Sequence, residues 1–200
     1  MQSIIIGTTN QAKVAQIAGA LSLIGVEVRG VSDKSLLPEV IEDGATVQDN
    51  ARKKATAYAR ALGTAVLSMD NALYLDGLSQ ADQPGMYVRR INGEVRSSDD
   101  ELLEHYERVI RTLGGRIHGH WDFGVCVAHP DGKIWETTIR STRIFTGERS
   151  EKIVPGYPLE SLQIDPESNR YISEMTKEEQ ILFWQRAIGS ELCRFIESVG

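Results

Sequence analysis

The turn that follows the first apolar run carries residues suited to binding an anion. Thr8, Thr9 and Asn10 place small polar side chains and backbone N–H groups at the expected start of a helix, and Lys13 lies one turn further on. The partial positive charge of a helix N-terminus favours phosphate, and the lysine ammonium can reach the same point. A plain strand-to-helix turn with a polar cap has the same composition, so this pattern alone leaves both interpretations open.

Acidic residues and a second basic group follow downstream. Glu39 stands in an acid-rich loop, and Asp70 follows a buried apolar run, at the end of a strand where α/β sheets place their ligands. These two carboxylates could hold one Mg²⁺, because that cation needs only one or two of them when phosphates and waters complete its shell. Lys54 belongs to a basic run near the start of the next predicted helix. Taken singly, each of these charges is equally typical of a solvated surface.

The elements that position the first of these residues follow from the apolar patterns. The run from Ser3 to Ile6 predicts a buried strand, helical spacing from Val14 to Ile24 predicts a helix, and the valines after Gly25 predict a second strand. Strand, helix and strand in this order indicate a right-handed crossover in an α/β sheet.

The later elements extend this picture. A helix is expected from Thr46, which can cap it, to Gly63, followed by a short buried strand from residue 65 to 68 and another helix from Asp99. Alternating residues from 117 to 127 lead through the Asp131-Gly132 turn into a return strand ending near residue 144. Thr176 and Glu179 fit a capping box for a last amphipathic helix.

Together these elements predict an α/β fold with a long, mixed, twisted sheet flanked by helices. We expect one domain over residues 1–200, in two lobes with a central cleft, the antiparallel lobe covering roughly residues 115–150.

Composition excludes several classes of function. The 200 residues are 41% hydrophobic and 25% charged, which is typical of a globular domain. The formal net charge is −6, so no overall basic field exists to hold a nucleic acid polymer or an anionic membrane. Two cysteines, Cys126 and Cys193, show neither disulfide nor metal spacing, and no apolar stretch is long enough to span a bilayer. We therefore expect a soluble cytoplasmic protein.

From Ile4 to about Ile196 the chain resembles the inosine/xanthosine triphosphate pyrophosphatases. The family's opening Thr-Gly-Asn-x-x-Lys is similar to residues 8–13, and its Leu-Pro-Glu, which carries a metal-binding acid, is similar to residues 37–39. Its Glu-Asp-Gly-x-Thr-x-x-(Glu/Asp)-Asn-Ala-x-x-Lys-Ala resembles residues 42–55, the most specific match in the chain, and its Asp-Asp-Ser-Gly-Leu resembles residues 69–73.

The resemblance implies an enzyme that hydrolyses non-standard purine nucleoside triphosphates, of the ITP, dITP and XTP type, to the monophosphate and pyrophosphate. It implies Lys13 and Lys54 at the phosphates, with Thr8 and Asn10 shaping that end of the pocket. It also implies Glu39 and Asp70 at Mg²⁺ and at the water that attacks the α-phosphorus, and it leaves open whether Glu42 or Asp43 also contacts the metal. A homodimer is implied as well.

Several positions depart from the family pattern. Met69 replaces the first acid of the Asp-Asp pair, which predicts reduced or altered activity. Asn71, which we expect to bind substrate, replaces the serine that follows Asp70. Thr9 replaces a glycine in the anion turn.

The base-binding residues depart further. Tyr157 and Glu160 lie in the segment that replaces Phe-Gly-Tyr-Asp-Pro, and Gln185-Arg186 replaces His-Arg. Arg186 can donate to a purine carbonyl, whereas Gln185 adds an acceptor that would loosen discrimination between bases. Tyr157 fits either a base-stacking ring or a core aromatic, and Gln185 and Arg186 also fit the exposed side of a helix. A hydrolase with shifted base specificity and a weakly catalytic nucleotide-binding protein therefore remain as alternatives.

Overall fold

The structure, a computed structural model, describes residues 2–31, 33–91 and 97–199. Over these residues the α-helices are α1 (Gln11–Leu21), α2 (Val47–Leu62), α3 (Asp99–Thr112), α4 (Lys177–Trp184) and α5 (Ser190–Val199). The strands are β1 (Ser3–Ile6), β2 (Glu27–Gly30), β3 (Val66–Leu75), β4 (Arg116–Ala128), β5 (Ile134–Thr146), β6 (Gln163–Asp165) and β7 (Arg170–Tyr171).

The described strands form one seven-stranded sheet in the order β2-β1-β3-β4-β5-β6-β7. Strand β1 runs parallel to both β2 and β3, whereas β6 runs antiparallel to both β5 and β7. The predicted α/β fold with a mixed sheet flanked by helices is therefore confirmed.

The chain divides into two compact units, each with its own core. Unit 1 comprises Met1–Asn71, Asp122–Arg140 and Ile181–Gly200, and unit 2 comprises Ala72–Trp121 and Ser141–Gln180. In unit 1 the small residues of α2 pack on β3 and β4 through Ala51, Ala55, Ala59, Val66, Cys126 and Ala128. In unit 2 the apolar face of α3 packs on strand residues such as Leu73, Leu75, Ile117 and Phe145.

Helix α2 begins and ends where the sequence predicts. The Thr46 hydroxyl accepts a hydrogen bond from the Asp49 N–H at 3.1 Å, and the Asp49 carboxylate accepts one from the Thr46 N–H at 3.2 Å. This reciprocal capping box satisfies two N–H groups that a helix start otherwise leaves without partners. Gly63 ends the helix in the left-handed conformation, with φ 65°.

Strand β3 is longer than predicted, and this changes the setting of Asp70. The expectation of a strand ending at Ser68 was wrong, because hydrogen bonding continues through the polar residues to Leu75. Strand β1 ends at Ile6, which pairs with Leu67. Asp70 therefore lies within β3 but beyond the carboxyl end of the parallel strand β1, which is still the edge where α/β sheets place ligands.

The C-terminal helix is not the single amphipathic helix that was predicted. A π-helical segment, Gln185–Gly189, separates α4 from α5. A Cβ added to Gly189 would lie 3.1 Å from the carbonyl oxygen of Ala20, so α1 approaches this backbone closely. Apolar spacing near 3.6 residues does not reveal such a widened turn, since the flanking helices keep their buried stripes.

No helix among the described residues has both the length and the apolar character needed to cross a membrane. Cys126 and Cys193 are both free and buried. The burial of Cys126 raises the pKa of its thiol to about 12, so this cysteine is an inert core residue.

Candidate active site

Two lysine side chains meet at the backbone carbonyl of Met69. Lys13 Nζ donates to this oxygen at 3.0 Å, and Lys54 Nζ donates to it at 3.4 Å. Lys13 comes from the first turn of α1, Lys54 from the second turn of α2, and the carbonyl from β3. Three segments that are far apart in the sequence thus converge within unit 1.

The acidic side of this cluster is centred on Lys54 and Asp70. Lys54 Nζ lies 2.9 Å from Glu42 Oε2 and 3.3 Å from Asp70 Oδ1. The other carboxylate oxygen, Asp70 Oδ2, accepts a hydrogen bond of 3.0 Å from Asn50 Nδ2. Asn50 Oδ1 in turn accepts one of 2.8 Å from the backbone N–H of Gly44.

The two lysines differ in their electrostatic surroundings. Burial, and after it the charge of Lys54, lowers the pKa of Lys13 to about 8, although Asp70 and Glu42 oppose the shift. Burial would also lower the pKa of Lys54, but the neighbouring Asp70 and Glu42 outweigh this effect and raise the pKa of Lys54 above its ordinary value. Lys54 is therefore a firmly charged, acid-paired ammonium, whereas the ammonium of Lys13 would be stabilised by an incoming anion.

The predicted anion turn forms a hydrogen-bonded helix cap. Asn10 Oδ1 accepts from the backbone N–H groups of Ala12 at 3.0 Å and Lys13 at 3.4 Å, and Thr8 Oγ1 accepts from the Asn10 N–H at 3.1 Å. Thr9 is exposed. Thr8 and Asn10 therefore order the turn that delivers Lys13, and their contact with phosphate stays a prediction.

Residues 69 and 71, which flank Asp70, are both turned inward. The Met69 side chain is buried, and Oδ1 of Asn71 is buried without a hydrogen-bond partner among the described residues. A buried acceptor left unsatisfied costs about 1–3 kcal/mol. Asn71 can therefore accept a hydrogen bond from a bound molecule or a water, which is compatible with its predicted role in substrate binding.

The acid-rich loop brings Glu42, rather than Glu39, into this hydrogen-bonded cluster. Glu39 is exposed and forms no ion pair with another residue in the described part of the chain. Within residues 2–31, 33–91 and 97–199, no group of three or more His, Cys, Asp or Glu side chains is arranged to hold a metal ion. The joint binding of a metal by Glu39 and Asp70 stays a prediction.

The donor chemistry nevertheless suits a hard cation. Asp70 offers two carboxylate oxygens, and a carboxylate has about four lone-pair positions, more than its contacts with Lys54 and Asn50 occupy. Mg²⁺ prefers oxygen ligands and needs few from the protein. Asp70, with a glutamate from the loop, therefore fits such an ion.

Two of the predicted base-contacting residues belong to unit 1 and start the π-helical segment. Gln185 Nε2 donates to Ser22 Oγ at 2.9 Å, and Arg186 is exposed. The other two belong to unit 2, where burial raises the pKa of the Tyr157 hydroxyl and raises the pKa of the Glu160 carboxyl to about 7 against the opposing effect of Arg143. The convergence of these four residues on one base stays a prediction.

Sequence reasoning missed two members of the cluster, Asn50 and Gly44, and left the role of Glu42 open. One signal was available. Asn50 and Lys54 are four residues apart and share a helix face with the alanines of the core, so this spacing could have indicated a buried amide next to a buried ammonium. An amide in that position needs a partner, and the pattern does not say which.

Comparison with known proteins agrees with the resemblance drawn from the motifs. A model of the Ham1 family matches residues 4–190. A dITP/XTP pyrophosphatase of Exiguobacterium sibiricum is 30% identical over 177 residues, which cover 88% of this chain and 87% of that protein. A dITP/XTP pyrophosphatase of another Exiguobacterium species is 31% identical over 185 residues, covering 92% and 90%.

Solved structures show the same fold. The Staphylococcus aureus Ham1 protein superposes with a TM-score of 0.69 at 22% identity, over 99% of this chain and 100% of the other. A HAM1 protein from Coxiella burnetii gives a TM-score of 0.71 at 17% identity, again over 99% and 100%. Pyrophosphatases of this family generally depend on a divalent metal. The family match along nearly the whole chain and the two relatives matched over most of their length together show that this protein belongs to the Ham1 family.

Proposed function

We propose that this protein hydrolyses non-standard purine nucleoside triphosphates, of the dITP, ITP and XTP type, to the monophosphate and pyrophosphate. Membership of the Ham1 family and the activity named for its relatives support this substrate class. The observation that carries the proposal is that Lys13 and Lys54 share the Met69 carbonyl while Lys54 also contacts Asp70, because this joins two phosphate-binding cations to one carboxylate.

Lys13 and Lys54 bind the triphosphate. The ammonium of Lys13 has a neutral carbonyl as its hydrogen-bond partner, and a phosphate oxygen is a stronger acceptor because it carries charge. Two ammoniums close to one oxygen repel each other, and a polyanion placed between them relieves that repulsion. Charge stabilisation of this kind accounts for most of the catalysis in phosphoryl transfer.

Asp70 orients the attacking water and takes its proton. The water oxygen forms a bond to the α-phosphorus, the bond from that phosphorus to the bridging oxygen breaks, and pyrophosphate leaves. The water proton passes to the Asp70 carboxylate, whose two oxygens are held in place by Lys54 and Asn50. A positioned general base contributes about 10²–10⁴ in rate.

Asp70 and Glu39 would hold Mg²⁺, and Glu42 is the acid of the same loop that already lies beside Lys54. When bound, Mg²⁺ supplies further neutralisation of the triphosphate charge.

Within unit 1, Arg186 and its neighbour Gln185 would read the base. Arg186 donates to a purine carbonyl, which an adenine lacks at that position, and a donor left facing the adenine amino group costs about 1–3 kcal/mol. The hydrogen bond from Gln185 to Ser22 favours a shifted base preference, because the amide is already engaged within unit 1.

We also expect the protein to form a homodimer, which a molar mass measured by light scattering would test. We expect it to act in a reducing cytoplasm.

The decisive experiment measures pyrophosphate release from dITP, XTP, ITP, GTP and ATP, with and without Mg²⁺. We expect release from the first three, and a loss of about 10²-fold or more in Asp70→Asn. Asp76→Asn makes the same change at an exposed acid of unit 2 and should retain the wild-type rate.

Equal rates for Asp70→Asn and the wild type would exclude Asp70 as the base. A wild-type protein that binds a non-hydrolysable analogue in calorimetry but releases no pyrophosphate would instead be a nucleotide-binding protein.

A further inference from the structure

Asn50 connects the loop before α2 to the carboxylate of Asp70. Asn50 as a whole residue is 3% exposed. Nδ2 donates to Asp70 Oδ2 at 3.0 Å, and Oδ1 accepts from the Gly44 N–H at 2.8 Å. One buried amide therefore ties together a strand residue and a loop residue through both of its polar atoms.

An amide is the chemical group that this position requires. Asp70 presents an acceptor and Gly44 presents a donor, so the connecting side chain must donate at one atom and accept at the other. Aspartate at this position keeps the acceptor but turns a carboxylate oxygen toward another carboxylate. An apolar side chain would remove both hydrogen bonds from two partly buried partners and leave Asp70 with its Lys54 contact alone.

The backbone of Gly44 leaves room for this contact. A Cβ added to Gly44 would lie 2.7 Å from Asn50 Oδ1 and 2.6 Å from the Asp49 Cβ. Real side chains do not come so close, so the loop sits against the amide only because residue 44 has no side chain.

Asn50 and Lys54 hold Asp70 from the same helix. They lie four residues apart on α2, and each contacts a different oxygen of the one carboxylate, Lys54 at Oδ1 and Asn50 at Oδ2. Contact at both oxygens fixes the rotation of the carboxylate plane, which a single ion pair leaves free.

We propose that Asn50 is a positioning residue that fixes the orientation of the Asp70 carboxylate for attack and seats the loop that carries Glu42. The inference rests on the pyrophosphatase function proposed above. Asn50 acts through Asp70 and does not itself contact the substrate. Loss of the Asn50 amide should therefore lower kcat far more than it changes KM, because misorientation of the Asp70 base affects the chemical step.

The first test compares the kinetics of Asn50→Asp with those of the wild type. This variant preserves size and the acceptor for Gly44 but removes the donor to Asp70. Loss of a charge-assisted hydrogen bond costs about 1.5–3 kcal/mol, so kcat should fall about 10- to 100-fold while KM changes less than about threefold. Asn169→Asp, the same substitution at an exposed residue, should stay within about twofold of the wild type.

The second test needs no turnover. Asn50→Asp and Asp70→Asn should each lower Tm, and the double variant should recover most of the loss, since the amide and the carboxylate have then exchanged places. Turnover should stay lost in the double variant, because position 70 no longer provides a base.

The outcomes separate this inference from the function on which it rests. An active wild type with a wild-type kcat in Asn50→Asp overturns the positioning role alone, as does an additive loss of Tm in the double variant. A wild type that releases no pyrophosphate from any nucleotide overturns the proposed function and the positioning role together, even if the double variant recovers its Tm.

Discussion

The ammonium of Lys13 donates a 3.0 Å hydrogen bond to the backbone carbonyl of Met69, so a partly buried cation faces a neutral dipole. In the family pattern an acid stands at position 69, and here that side chain is a buried methionine. The lysine consequently depends on the more distant charges of Asp70 and Glu42, which do not compensate for its burial. This arrangement leaves Lys13 sensitive to pH and receptive to an anion.

Replacing Lys13 by arginine should move the alkaline limit of activity. Burial lowers the pKa of Lys13 to about 8, so the charged fraction in the free enzyme falls above that pH and kcat/KM should decline there. Arginine stays protonated, so Lys13→Arg should hold its own kcat/KM constant to beyond about pH 10. Ionisation of the substrate base is common to both proteins, and the comparison therefore isolates the lysine. Parallel profiles for the two proteins would contradict the assignment.

Gly44→Ala should disturb both the loop and the active site. The added Cβ meets the Asn50 amide and the Asp49 Cβ at 2.7 and 2.6 Å, and overpacking of this kind costs about 1–3 kcal/mol. At about 2–4 °C per kcal/mol, the Tm measured by calorimetry should fall by about 2–12 °C, with a matching fall in kcat.

Gly19→Ala is the matched control for that change. A Cβ at Gly19 in α1 has its nearest neighbour at 3.5 Å, which is ordinary contact, and alanine favours a helix. Its Tm should therefore stay level or rise. Equal losses in the two variants would show that Gly44 is not specially constrained.

Glu160 should make the stability of the protein depend on pH. Burial raises its pKa from an ordinary 4.5 to about 7, although Arg143 opposes the shift. The folded protein thus holds the Glu160 proton to a higher pH than the unfolded chain does. The free energy of unfolding therefore falls as pH rises from about 4.5 to 7.

In Glu160→Gln the side chain at position 160 is uncharged at every pH. Denaturant unfolding should show the variant more stable than the wild type at pH 8, by about 3 kcal/mol, and equal to it at pH 4. Asp165 remains near the Arg143 guanidinium in this variant. Glu148→Gln, at an exposed acid, should leave the wild-type pH dependence intact. An unchanged pH dependence in Glu160→Gln would contradict the predicted burial of the charge.

Thr46→Ala should weaken the start of α2, the helix that carries Asn50 and Lys54. The Thr46 hydroxyl accepts from the Asp49 N–H, and removal of such a cap costs about 1 kcal/mol. Thr56→Ala, the same change inside α2, should leave the free energy of unfolding level or slightly higher, because alanine has the better helix propensity. A loss in the control as large as in Thr46→Ala would mean that the cap is not the cause.

Local patterns in the sequence were sufficient to determine several elements of this protein. The Thr46 cap and Gly63 bounded α2, and the Asp131-Gly132 turn located the hairpin of β4 and β5. These predictions succeeded because a cap or a tight turn involves neighbours in the chain, whose relative positions the backbone geometry largely sets. The motif resemblance also named Lys13, Lys54 and Asp70, which the structure brings together.

Only the tertiary structure decided how those residues meet. The Asn50 amide reaches Asp70 across 20 positions of sequence, and Lys13 reaches the Met69 carbonyl across 56. Such contacts depend on how α1 and α2 pack on β3 and on how far β3 runs beyond the end of β1. Packing and register are settled by the whole set of buried contacts, so no local pattern could indicate that Glu42, rather than Glu39, would lie against Lys54.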